Sequence, residues 1–129
     1  MSVIYMAHPV RGETPADTDA NIARAMRWYE YLVKHFEEHA FVADWILMCM
    51  VLDEHTPGHR ERGMRANLAI VERCDEIWLC GGRFSPGMQQ EVEHAGPNVI
   101  VRAFECADEP PRAHAEPTVI RAITYVRGA

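Results

Sequence analysis

The chain has 129 residues, 48% hydrophobic and 25% charged, which suits one domain with one core and excludes wholesale disorder. Its formal net charge is -6, with Lys34 as the single lysine and the arginines scattered, so a polymeric nucleic-acid or membrane surface is not expected. A small anionic ligand stays open, because two or three local donors suffice for it. The four cysteines, Cys49, Cys74, Cys80 and Cys106, form no C-x-x-C pair, the pattern of reduced thiols in a cytoplasmic protein. No signal peptide, membrane span or internal repeat is expected.

Ser2–Ala7 carries the apolar run Val3-Ile4-Tyr5-Met6 and reads as a first strand, stopped by the loop His8-Pro9-Val10-Arg11-Gly12. Asn21–Glu38 places Ile22, Ala25, Met26, Tyr29, Leu32, Val33 and Phe36 at helical spacing, with Thr18 or Asp19 as the expected N-cap. Ala40–Leu47 reads as a second strand, and Met48–Leu52 stays open between strand and helix. Asp53–Gly58 is a loop by composition, and Arg60–Arg73 a helix.

Glu76–Cys80 is a buried strand bounded by Gly81 and Gly82. Ser85-Pro86-Gly87 then opens a helix, since Ser is a favoured N-cap and Pro suits the first helical position. Gly96-Pro97 ends it. Asn98–Phe104 is a fourth strand. The core is expected to span residues 1–106, followed by a proline-rich loop over 107–117 and a closing segment over 118–129 read as a helix in preference to a strand. This alternation predicts a single-domain, three-layer α/β fold of Rossmann or flavodoxin type, with a parallel sheet of four to five strands.

In such sheets ligands bind beyond the C-terminal strand ends, where strand order reverses. Two loops are therefore candidates, His8–Gly12 and Gly81–Gly87. Arg11 on the first can hold a phosphate or carboxylate through a two-pronged contact. Ser85 and the helix N-terminus on the second suit the same anion. Gly87, Glu91 and Ala95 share one helix face, which leaves room beside the carboxylate. Glu91 stands about 9 Å along the helix from Ser85, a gap that a sugar phosphate spans. From these residues alone, the better reading of Glu91 is an exposed helix glutamate beside an ordinary cap. The same holds for Arg11 as an exposed loop residue.

Taken in order, Ile4-Tyr5-x-Ala7, Pro9, Arg11-Gly12, Asp75 and Ser85-x-Gly87-x-x-x-Glu91 with Ala95 resemble the nucleoside 2-deoxyribosyltransferase superfamily. Within it, the pattern is most similar to the 2′-deoxynucleoside 5′-monophosphate N-glycosidases and to small bacterial and phage relatives, over roughly residues 3–104. The resemblance implies that Glu91 is a nucleophile forming a glycosyl-enzyme and that Tyr5 orients it. It implies that Ser85, Gly87 and Arg11 hold a 5′-phosphate. Gly12, His8, Asn67 and Asp75 complete the expected substrate-binding set. It implies a homodimer or larger homo-oligomer with sites near the subunit interface; no cofactor or metal is expected.

The chain departs from that pattern at Asn67, where the glycosidases carry an aspartate that assists the leaving base. Asparagine cannot act as a general acid. Either another group takes the role, with Asp53, Glu54 and Glu61 as candidates on a loop able to fold over the site, or the protein binds without cleaving. His55 and His59 lie four apart, but Pro57-Gly58 between them argues against a helical metal pair. His35, His39, His94 and His114 read as surface residues, and Trp28, Trp45 and Trp78 as core or interface. No G-x-S-x-G, Walker or G-x-G-x-x-G motif is present, which disfavours serine-hydrolase, ATPase and dinucleotide redox chemistry.

Overall fold

The computed structural model describes residues 1–53, 55–105 and 107–121. The elements run β1 (Ser2–Ala7), α1 (Pro15–His35), β2 (His39–Val42), α2 (Trp45–Val51), α3 (His59–Val71), β3 (Glu76–Leu79), α4 (Pro86–Ala95), β4 (Ile100–Ala103) and β5 (Thr118–Arg121). All five strands form one sheet in the order β2-β1-β3-β4-β5. β1 pairs in parallel with β2 and β3, and β3 with β4, whereas β5 runs antiparallel to β4. The expected parallel sheet is thus corrected at its last strand.

Strand order reverses at β1, which has β2 on one side and β3 on the other. The loops after β1 and β3 therefore meet beyond the carboxyl ends of the two central strands, where open α/β sheets leave a crevice.

Central position explains burial. Ile4, Tyr5 and Met6 of β1 are fully buried, as is Ile77 of β3. Strands covered on both faces read as continuous apolar runs, which is how β1 and β3 appear in sequence. α1 packs beside β2, and its Trp28 ring stands 5.0 Å from Phe104 just beyond β4. Trp28, Trp45 and Trp78 are all buried. Among the described residues, no helix is long and apolar enough to cross a membrane.

Three local readings are corrected. α1 starts six residues before the expected Asn21, at Pro15, and its N-cap is Thr14, whose Oγ1 accepts from Asp17 N at 3.1 Å. The first turn is exposed and so carries no apolar period. The expected strand Ala40–Leu47 stops at Val42, and Trp45–Val51 is helical. That run is apolar all round, yet only Trp45 and Ile46 are buried, while Leu47, Met50 and Val51 face outward.

Thr118–Arg121 is a strand rather than the start of a helix. Its β-branched Thr-Val-Ile run suits an extended chain beside β4. Arg121 Nη2 then donates to Val92 O at 3.2 Å and Gly96 O at 2.6 Å, capping the carbonyl end of α4. The remainder of that predicted helix, with Glu54 and Cys106, lies outside the described residues.

The proline-rich stretch after β4 forms no helix or strand of its own before β5. It lies along α1. Trp28 Nε1 donates to Asp108 O at 2.9 Å, and Ala115 N donates to the Tyr31 hydroxyl at 2.9 Å.

Candidate active site

β1 brings Tyr5 to the sheet face under α4, and α4 brings Glu91 down onto it. The Tyr5 hydroxyl donates to Glu91 Oε2 in a short, buried hydrogen bond across 86 positions of sequence. Glu91 is 6% exposed, so the reading of an exposed helix glutamate is excluded. The cause is geometric. α4 starts at Ser85, whose Oγ accepts from Met88 N at 3.3 Å, and this cap sets which helix face meets β1. Met88 and Glu91, three apart, are the buried positions of that face.

Burial pushes the Glu91 carboxyl up to about 7. The Tyr5 hydrogen bond and the Arg60 guanidinium favour its ionised form, while the charge of Asp44 opposes it. Tyr5 is held well above the usual phenol range by burial and by Glu91, so it remains a proton donor to the carboxylate. Near neutral pH the pair is therefore a half-ionised carboxylate steadied by a neutral phenol.

Glu91 forms one wall of a cavity of about 80 Å³, shared with His8, Arg11, Asn67, Ser85 and Gly87. The hollow is smaller than the roughly 150 Å³ that holds a benzene ring, so it takes part of a ligand rather than all of it. It adjoins a wider basin of about 750 Å³, with Arg11, Arg60 and Pro86 belonging to both. The basin lies within the usual size range of small-molecule sites.

Most of the expected residues converge here. Arg11 stands between the hollow and the basin, and Gly87 lies beside Ser85 at the start of α4. A side chain at position 87 would meet the ends of the α3 side chains Met64, at 3.3 Å from Cε, and Arg60, at 3.5 Å from Nη2, so it would crowd the cavity wall only slightly. Gly12 lines only the basin, and its role is steric, because a Cβ there would lie 2.3 Å from Asp17 Cβ. Asn67 reaches the cavity wall, and its Oδ1 is buried with no hydrogen-bond partner among the described residues.

His8 also lines the cavity, and it does so as a neutral ring. Its Nδ1 lies 2.7 Å from Pro9 O, an acceptor, so Nδ1 carries the proton and Nε2 the lone pair. Burial, assisted by the charges of Arg24 and Arg83, brings its pKa down to about 4. The ring packs against Gly81, where a Cβ would come within 2.7 Å of it. Gly81 has a φ of +97°, which glycine adopts freely. His8 is thus a neutral wall of the cavity.

Asp75 is not in the site. Its Oδ2 accepts from Val3 N and its own N–H donates to Val3 O, both at 2.8 Å, at the amino end of the central strands. The crevice lies at the opposite end, so Asp75 fastens β1 to β3. Asp53 also stands apart, in a separate hollow with Thr18, His55 and His59. Its N–H donates to His59 Nδ1 at 2.9 Å, and Glu61 sits in the first turn of α3 outside the walls of the cavity. Neither fills the gap at Asn67. Among the described residues no group of three or more His, Cys, Asp or Glu side chains is arranged to hold a metal ion.

Sequence reasoning missed Arg60, Met64 and Trp45, which also line the cavity. For α3 the signal was present, since positions 60 and 64 precede Asn67 at spacings of four and three and share its helix face. Trp45 carried no such signal, because its run read as strand.

Residues 2–103 match a protein family described as a domain of unknown function, DUF7768, and the chain belongs to that family. No curated protein and no solved structure matches the chain.

Proposed function

We propose that the chain is an N-glycosidase or 2-deoxyribosyltransferase acting on a (deoxy)nucleoside or its 5′-monophosphate, on a single-domain, three-layer Rossmann/flavodoxin-like fold. The observation that carries this reading is the buried Tyr5–Glu91 pair on the wall of a cavity that also holds Arg11, Ser85 and Gly87. Anion-binding groups and a carboxylate of raised pKa stand on one helix, at the separation of a sugar phosphate. The phosphate binds at the α4 N-terminus and Arg11.

The Glu91 carboxylate then attacks the anomeric carbon and the C–N bond breaks, its electron pair leaving with the base. Tyr5 holds Glu91 in place. Water, or a second base, attacks the glycosyl-enzyme and releases Glu91. Asn67 supplies no proton, so the proton that the departing base takes up comes from water. The test is to incubate the protein with a panel of nucleosides and deoxynucleoside monophosphates and assay free base. Absence of release from a folded protein overturns the reading, and a Glu91→Ala variant that stays active overturns the nucleophile.

Asn67 supports a second reading, a nucleotide-sensing module of the same fold without turnover. Ligand-induced thermal stabilisation without free base distinguishes it. We also propose self-association, supported by the exposed apolar side chains of Leu47, Met50 and Val51 on α2 and Met26 and Val33 on α1. Light scattering is expected to report a dimer or larger species that Met50→Glu weakens.

A further inference from the structure

Among the described residues, four arginines converge on the basin beside the Glu91 cavity. They come from four separate segments: Arg11 from the loop after β1, Arg24 from α1, Arg60 from α3 and Arg83 from the loop after β3. In an acidic chain, that convergence is not what solubility alone requires.

The hydrogen-bonding capacity of Arg24 and Arg83 is only partly used. Arg24 Nε is buried with no hydrogen-bond partner among the described residues, and its ion pair with Glu109 stands at 3.9 Å. Arg83 Nη2 lies 3.5 Å from Asn21 Oδ1, at the long limit of a hydrogen bond. Glu13, Asp17 and Asp108 also border the basin. Among the described residues, none of them forms an ion pair with Arg11, Arg24 or Arg83.

A single phosphate at Ser85 and Gly87 would engage Arg11 and Arg60, which belong to both hollows. It would leave Arg24 and Arg83 facing an open volume of about 750 Å³. Several guanidinium groups around one basin match a chain of phosphates better than one phosphate, because each presents a planar fork to a separate oxyanion. We propose that the ligand of this site carries a di- or triphosphate chain, its inner phosphate at Arg11, Ser85 and Gly87 and its outer phosphates on Arg24 and Arg83. This rests on the reading of Glu91 as the glycosidic end of the site.

The test is calorimetric titration of the full chain with phosphate, pyrophosphate and tripolyphosphate, and with one nucleoside as its mono-, di- and triphosphate. Affinity is expected to rise at least tenfold from the mono- to the triphosphate in both series. Arg24→Gln and Arg83→Gln should each cut that ratio at least threefold. Arg83 is exposed, so its variant keeps the fold should Arg24→Gln perturb α1. Arg73→Gln, at an exposed arginine outside both hollows, should leave the ratio unchanged and so separates a site effect from overall charge. Equal affinity for mono- and triphosphates, or a ratio unmoved by both basin variants, overturns the proposal. An arginine-dependent preference without base release from any nucleotide would remove the glycosidase reading and leave this one standing. Base release from monophosphates with no preference for longer chains would do the reverse.

Discussion

Glu91 and Tyr5 join sequence to chemistry at the smallest scale. The carboxyl titrates near 7 because burial penalises its charge, and the Tyr5 hydrogen bond limits the rise. The nucleophile is the ionised form, so base release is expected to increase with pH through about 7 and then level off. In Tyr5→Phe the bond that favours ionisation is gone, and the midpoint should move to higher pH. A midpoint that stayed in place would remove Tyr5 from this role. Asn67 makes the second prediction at this scale. Asn67→Asp restores a group able to carry a proton at the cavity wall, and should accelerate base release by about 100-fold, the lower end of general-acid contributions. A rate unchanged in that variant would mean that proton delivery to the base does not limit turnover.

At the scale of elements, α4 is the positioning device. Its cap at Ser85 fixes where it begins, and Arg121 of β5 ties down its carbonyl end. Ser85→Ala removes the Oγ that accepts from Met88 N and is expected to cost about 1 kcal/mol by urea denaturation. The same variant should weaken phosphate binding severalfold in calorimetry. A stability loss with phosphate affinity intact would assign Ser85 to capping alone. The α4 start was legible in the Ser-Pro-Gly order, because capping is local chemistry. The α1 start was written equally plainly in Thr14-Pro15, but a search for apolar period passes over a solvated first turn.

For the whole molecule, the site carries a stability cost. Glu91 has a folded pKa of about 7 against an ordinary 4.5, so the folded state holds the proton more tightly than the unfolded chain. The linkage follows in sign: below about 4.5 there is no penalty, stability falls as pH rises through 7, and it is level beyond. The full effect is on the order of 3 kcal/mol. Glu91→Gln lacks the titrating group, so its stability relative to the native chain should improve from pH 4 to pH 8 by about that amount in denaturant titrations. A gap that does not vary with pH would show that Glu91 does not carry this burden.

Sequence alone settled what depends on near neighbours along the chain. The β1 and β3 runs, the α4 cap and the loops at the strand ends are dictated by residue size, branching and hydrogen-bonding capacity within a few positions. These were enough to bring Arg11, Ser85 and Glu91 toward one crevice. Tertiary structure alone decided what depends on residues far apart. Burial of Glu91 against Tyr5, the neutral state of His8 under Gly81 and the gathering of four arginines each need segments from different elements. It also moved Asp75 out of the site, since the two ends of a four-residue strand are close in sequence but lie about 10 Å apart. Local pattern specifies elements; desolvation, proximity and charge, which set the chemistry, exist only once those elements are packed.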